Sequence, residues 1–169
     1  MRTYLPIAHR TAVLLGAGSD AEDVVQDSFV KAYRGLAGFR VGSPFRPWLL
    51  RIVANETKNL HRSSARRRAR ENAPPDPTEP FPMLAAARDP ADLIANNHHA
   101  LRAELLRLPE NQRTVLICRF LLDLDEAETA AVLGVAQGTV KSRSHRGLRR
   151  LRSSLAQAAE NGAEGVRHA

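Results

Sequence analysis

The 169-residue sequence predicts an all-α fold, two small helical domains joined by an acidic, Pro-rich linker. Three observations carry this. Apolar residues recur at helical spacing in several stretches, and nowhere do they alternate as a strand requires. From Glu71 to Asp92 the chain holds Pro74, Pro75, Pro77, Pro80, Pro82 and Pro90, with five acids against one arginine, a composition that does not pack. The length allows one respectable core or two small ones, and this break favours two. No internal repeat relates the halves.

Tyr4 to Leu15 reads as a short helix. Asp20 to Leu36 reads as a longer one: Ser19 or Asp20 can cap it, Glu22 and Asp23 suit the positive end of its dipole, and Gly38 follows its end. After a turn at Gly42 and Ser43, Pro44 opens a third helix, where Phe45, Trp48, Leu49, Ile52, Val53 and Leu60 form one stripe. Pro47 falls in its first turn, where a missing amide donor does little harm. These helices make a first domain, residues 1–70, ending in the Arg66-Arg67-Arg68 run. Residues 71–92 are the expected flexible linker. Helices resume from Ala91 to Leu108 and, after the break at Pro109, from Gln112 to Leu122. The second domain, residues 93–157, closes with a short helix, a tight turn at Gly134 and a strongly basic helix. The Gly- and Ala-rich tail, residues 158–169, is expected to fray from about Ala158.

Charge narrows the function. A net charge of +7 and a pI near 10.6 call for a polyanionic partner. The longest apolar runs are too short to cross a bilayer and no signal-peptide core follows Met1, so the sequence predicts a cytoplasmic protein without membrane insertion. The single cysteine, Cys118, lies in an apolar run and reads as a buried structural thiol. His98 and His99 point to different helix faces and make no metal site, and no cofactor is implied. An enzyme acting on DNA, such as a serine recombinase, would need a sheet-containing catalytic domain that the pattern does not provide. The sequence is read as that of a non-enzyme.

Two surfaces suit DNA. The end of the second domain has the layout of a helix-turn-helix reader of duplex. Lys141, Arg143, Arg146, Arg149, Arg150 and Arg152 put six cations into twelve residues with no acid among them. On a helical wheel Val140, Leu148, Leu151 and Leu155 share one stripe, and Ser142, His145, Arg146 and Arg149 point the other way. Lys141, Ser142, His145 and Arg146 are therefore assigned to base edges, and Thr139, Arg143, Arg149 and Arg150 to phosphates. In the first domain, Arg40 to Arg70 holds nine cations and one acid, Glu56. There Arg51, Asn55, Lys58 and Arg62 share the outward face of the third helix, with Trp48 at its border. Cations beside Phe39, Phe45 and Trp48 suit single-stranded nucleic acid, although core packing explains Phe39 and Phe45 better and Trp48 equally well. Asp23, Gln26 and Asp27 make a polar patch that fits neither DNA role.

Four ordered motifs together resemble the extracytoplasmic-function group of bacterial RNA polymerase sigma factors, of the sigma-70 family: Asp20 to Phe29, Pro44 to Leu49, Leu108 to Arg113 and Leu133 to Arg143. The resemblance covers about residues 4–70 and 93–155. It implies a sigma region 2-like first domain and a sigma region 4-like second domain. By this likeness Asp23, Gln26 and Asp27 would hold the clamp coiled coil of the largest subunit of core RNA polymerase. Phe39 to Phe45, Trp48, Arg51, Asn55, Lys58 and Arg62 would open and capture the -10 element. The helix from Gln137 to Arg150 would read the -35 element, and an anti-sigma factor would restrain the whole. The linker would be an extended spacer between domains with little mutual contact. Thr129 and Pro47 depart from the usual pattern, which has an aliphatic residue and a non-proline there, and the start is so abrupt that either part of the first helix is expected to be missing or the start to be misassigned. Asp123 and Asp125 are acids with no evident role. The alternative is a stand-alone helix-turn-helix regulator, which leaves Trp48 and the acidic helix idle.

Overall fold

A computed structural model describes residues 2–71, 101 and 103–167, with side chains for 3–67, 101 and 103–157. The Pro-rich segment, the start of the helix expected from Ala91 and the His98-His99 pair lie outside the described residues, apart from Glu71. Every regular element described is helical. In chain order these are α1 (Leu5–Leu14), α2 (Ala21–Gly35), α3 (Phe45–Glu71), α4 (Glu110–Leu116), α5 (Glu126–Leu133) and α6 (Gln137–Arg167), with residues 103–107 also helical ahead of α4.

In the first half, small residues let three helices approach closely. Ala8, Ala12, Val13, Ala17, Ala21, Val24, Val25 and Val53 are buried together, with Phe29 and Leu60 packed against them. Three hydroxyls inside this half cost little because each returns a bond to its own helix. Thr11 donates to the Ile7 carbonyl at 2.7 Å, Ser28 to Val24 at 2.6 Å and Thr57 to Val53 at 3.0 Å. Asp20 occupies the cap position of α2 but its side chain makes no capping bond, so its contribution there is its charge at the helix start. Pro47 is buried in the first turn of α3, where no amide was needed.

The second half departs from expectation in three places. The helix predicted to run to Leu122 is α-helical only to Leu116 and continues as a π-turn, Ile117–Leu121, in which the Leu122 amide reaches the Ile117 carbonyl at 3.0 Å. The wider turn keeps Ile117 and Cys118 buried and leaves Phe120 56% exposed. The acids without a role acquire structural ones. Asp123 adopts φ 51°, a left-handed conformation that Asp tolerates, and Asp125 caps α5. Its carboxylate accepts from the Glu128 amide at 2.7 Å while the Glu128 carboxylate accepts from the Asp125 amide at 3.0 Å, a reciprocal capping box. Finally, the backbone of α6 is helical to Arg167, beyond Ala158 where the tail is expected to begin.

Thr129, the departure noted in the sequence, is fully buried with its hydroxyl oxygen unpartnered. Replacing it with Val removes that uncompensated desolvation at similar volume. We expect Thr129→Val to stabilise the protein by about 1 kcal/mol, read as a rise in Tm of about 2 to 4 °C by circular dichroism.

The halves also share a core. Leu14 and Leu50 of the first half are buried with Ile117, Cys118, Leu122, Leu124 and Val132 of the second, flanked by Ile7, Leu15 and Ala54. The expectation of little contact is for domains engaged on separate promoter elements; in the chain alone they pack together. Leu50 lies off the apolar stripe read on α3, and is buried among residues of both halves. The Arg46 guanidinium adds a bond across the joint, donating to the Leu122 carbonyl at 2.7 Å.

Candidate nucleic-acid interface

The duplex-reading element is built by α5, a turn and α6. Gly134 ends α5 at φ 65°, the left-handed conformation that permits the turn. Val140 is fully buried against Val115 and Ala130, which fixes the roll of α6. Gly147 is the second pivot: a Cβ there would stand 3.1 Å from Leu116 Cδ1, so any larger residue requires Leu116 to give by a few tenths of an ångström for α6 to lie this close to α4. With that face seated, Lys141, Ser142, His145, Arg146 and Arg149 are exposed together. Arg146 lies along the helix, its Nε donating to the Ser142 carbonyl at 3.2 Å and Nη2 standing 3.4 Å from Ser142 Oγ. The remaining assigned residues sit differently. Thr139 and Arg143 are half-buried, Arg143 lining a cleft with residues of the first half, and Arg150 is exposed and lines, together with Arg149, Glu104 and Arg107, a small cleft beside α6. Arg143 therefore flanks the outward face rather than belongs to it.

On α3, Arg51, Asn55, Lys58 and Arg62 are exposed. The aromatics are one cluster. Phe39 and Trp48 have ring centroids 4.9 Å apart, Phe45 and Trp48 5.3 Å, Phe39 and Phe45 5.7 Å, and Tyr4 joins through Phe45 at 5.0 Å. All four are half-buried, so the rings support one another and still show part of their faces. The sequence reading missed Tyr4, whose position before a helix gave no signal. The connection from Phe39 to α3 turns at Gly42, φ 89°, and leaves Val41 95% exposed.

On α2, Asp23, Gln26 and Asp27 are exposed on one face, and none makes a hydrogen bond or ion pair within the described residues. Beside them lies an apolar groove of about 700 Å³ lined by Leu5, Pro6, His9, Val25 and Phe29, with Glu22 and Gln26 at its edge. Nothing in the sequence pattern flagged this groove, because its walls come from two helices. Burial pushes the Cys118 thiol up to about 12, so the thiol is protonated and inert where it sits. Among the described residues no helix is long and apolar enough to cross a membrane.

Comparison with known proteins agrees with this architecture. Residues 1–67 match the model for sigma-70 region 2, and residues 98–151 the model for sigma-70 region 4. The ECF RNA polymerase sigma-E factor of Salmonella typhi is 35% identical over 150 residues, spanning 82% of this chain and 76% of that protein. SigM of Mycobacterium tuberculosis is 36% identical over 144 residues, 85% and 68% of the two chains, and SigW of Bacillus subtilis 30% over 148 residues, 84% and 79%. The sigma factor RpoE of Bartonella quintana, solved in complex with the anti-sigma factor NepR, superposes with a TM-score of 0.72 at 28% identity, covering 92% of this chain and 93% of that one. CnrH, solved with the cytosolic domain of CnrY, gives 0.64 at 26% identity, covering 92% and 84%. With both sigma-70 regions in order on one helical chain, this protein belongs to the ECF RNA polymerase sigma factors, which direct promoter-specific transcription.

Proposed function

We propose a division of this activity among the three faces. The acidic face of α2 seats on the clamp coiled coil of the largest subunit of core polymerase. The aromatic cluster and the cationic face of α3 take the unstacked -10 strand, where each stacked base contributes about 1 to 3 kcal/mol toward the cost of melting. The outward face of α6 enters the major groove at the -35 element. The first half thus serves as the polymerase-binding and -10 domain, the second as the -35 domain, with residues 71–92 as spacer. The chain contributes binding energy and no catalysis of its own, and works in the cytoplasm where polymerase and promoters are. As RpoE is solved with NepR and CnrH with CnrY, an anti-sigma protein is proposed as a further partner.

The observation that carries this reading is the acid-free exposed set Lys141, Ser142, His145, Arg146 and Arg149 on a helix seated by Val140 and Gly147. Run-off transcription with purified core polymerase tests it: discrete, promoter-dependent products are expected, and random or absent starts refute it. The α2 assignment rests on acids with no internal partner beside an apolar groove, a pairing that fits a basic amphipathic helix. Charge reversal of Asp23 and Asp27 to Lys is expected to weaken core-polymerase capture by about 10-fold or more while leaving duplex binding intact. Unchanged capture in a pull-down would remove α2 from the interface.

A further inference from the structure

We propose that the cleft where the two halves meet is a binding site for a nucleotide, a ligand outside the promoter contacts assigned above. The cleft encloses about 720 Å³, within the range of about 300 to 1,000 Å³ that small-molecule sites occupy, and such sites favour the joints between packed bodies. Its charge is one-sided. Lys58 lines it from α3 and Arg143 from α6, and Arg51 comes to the α5–α6 turn, its Nη2 3.7 Å from where a Cβ on Gly134 would stand. Arg143 is half-buried, yet neither it nor Arg51 nor Lys58 has a hydrogen bond or ion pair among the described residues. Glu110, the one acid in the lining, acts on Arg113, whose charge is disfavoured by burial and favoured by this carboxylate. A guanidinium taken partly out of water with no acid to meet it is costly, and an anion in the cleft offsets that cost.

The uncharged lining narrows the class of anion. Leu15 and Ala54 of the first half and Leu133 and Val135 of the second give apolar wall that a flat ring can cover. Asn55 and Asn111, one from each half, carry amides that both donate and accept, as the edge of a nucleobase requires. His61 is fixed in the same wall, its Nε2 donating to the Leu15 carbonyl at 3.1 Å. Cations for phosphate, amides for a base edge and an apolar wall for its face together fit a nucleotide. Inorganic phosphate alone would leave the wall and the amides unused. Because both halves supply the lining, an occupant bridges them.

Calorimetric titration of the full-length chain at about 0.15 M salt tests this with ATP, GTP, inorganic triphosphate and adenosine. ATP or GTP should bind about tenfold or more tightly than triphosphate or adenosine alone, since only the nucleotide uses both the cations and the wall. Asn111→Glu and Thr114→Glu put carboxylates into the cleft from α4, away from both DNA faces. Each should weaken ATP about tenfold or more, with the affinity for a duplex selected from a random pool unchanged. Native Cys118, the sole cysteine, lies in the core that both halves build and reports the bridging in the unaltered chain. ATP at about a hundred times its Kd should slow labelling of this thiol about tenfold or more. Triphosphate binding as tightly as ATP, or Glu variants binding ATP like wild type, overturns the nucleotide site. Labelling indifferent to ATP overturns the bridging. Should the Glu variants lose their helical circular dichroism, the ligand series and the labelling of the wild-type chain decide alone.

Discussion

Val140→Asp is expected to unfold the second half and abolish -35 recognition. Val140 is fully buried on the first turns of α6 against Val115 and Ala130, with Leu133 and Val135 packed around them. The cluster around Val140 is apolar and offers no cation, so the substituted chain must either bury an unpaired charge or release α6 from α4 and α5. The cost exceeds about 4 kcal/mol, more than a domain this small can spare. Val140→Thr keeps the shape and adds one hydroxyl, and should cost about 1 to 3 kcal/mol. Urea titration followed by circular dichroism separates the outcomes: a lowered midpoint for Thr, and loss of helical signal with loss of duplex binding for Asp. A cooperative, near-wild-type transition for Val140→Asp would mean that this cluster does not seat the recognition helix.

Arg146→Ala and Arg149→Ala are expected to fail in different ways although the residues are neighbours on one exposed face. Arg146 lies along α6 over Ser142, on the face proposed to meet base edges. Its loss should cost about 1 to 3 kcal/mol on cognate -35 duplex and much less on scrambled sequence. Arg149 sits further along the helix, where contact with phosphate is expected. Its loss should weaken all sequences alike and reduce the salt slope by about 1. Fluorescence anisotropy at several salt concentrations, with selected and scrambled duplexes, checks both. Equal losses on both duplexes in both variants would erase the division between base and phosphate contacts.

Several of these placements were legible in the residues. The periodicity of Val140, Leu148 and Leu151 located the seated side of α6, because a helix that packs on one side must repeat apolar residues near every 3.6 positions. The exposure of Asp23, Gln26, Asp27, Arg51, Asn55, Lys58 and Arg62 follows from the same rule. Asp125 was read as excess acid although its spacing to Glu128 is that of a capping box, a signal present but not used. The π-turn after Leu116 had no such signal, since it depends on what Ile117 and Cys118 must reach in the other half. Leu50 shows the limit most clearly. A wheel drawn on α3 alone finds its stripe satisfied by Leu49 and Val53, and a further apolar residue beside Arg51 finds its place only in the core that both halves build.

By itself the sequence determined the helices, the turn at Gly134, the sign of the charge on each outward face and, through four ordered motifs, the family. Those properties are local: propensity, capping and periodicity act within a few turns of chain. Only the tertiary structure decided that the halves share one core, that Arg46 ties α3 to the Leu122 carbonyl, and that Arg143 turns from the duplex face toward the cleft. These depend on contacts between residues some seventy positions apart, such as Arg46 and Leu122. Apolar surface is buried by whatever partner fits its shape, and a one-dimensional pattern carries no record of that fit.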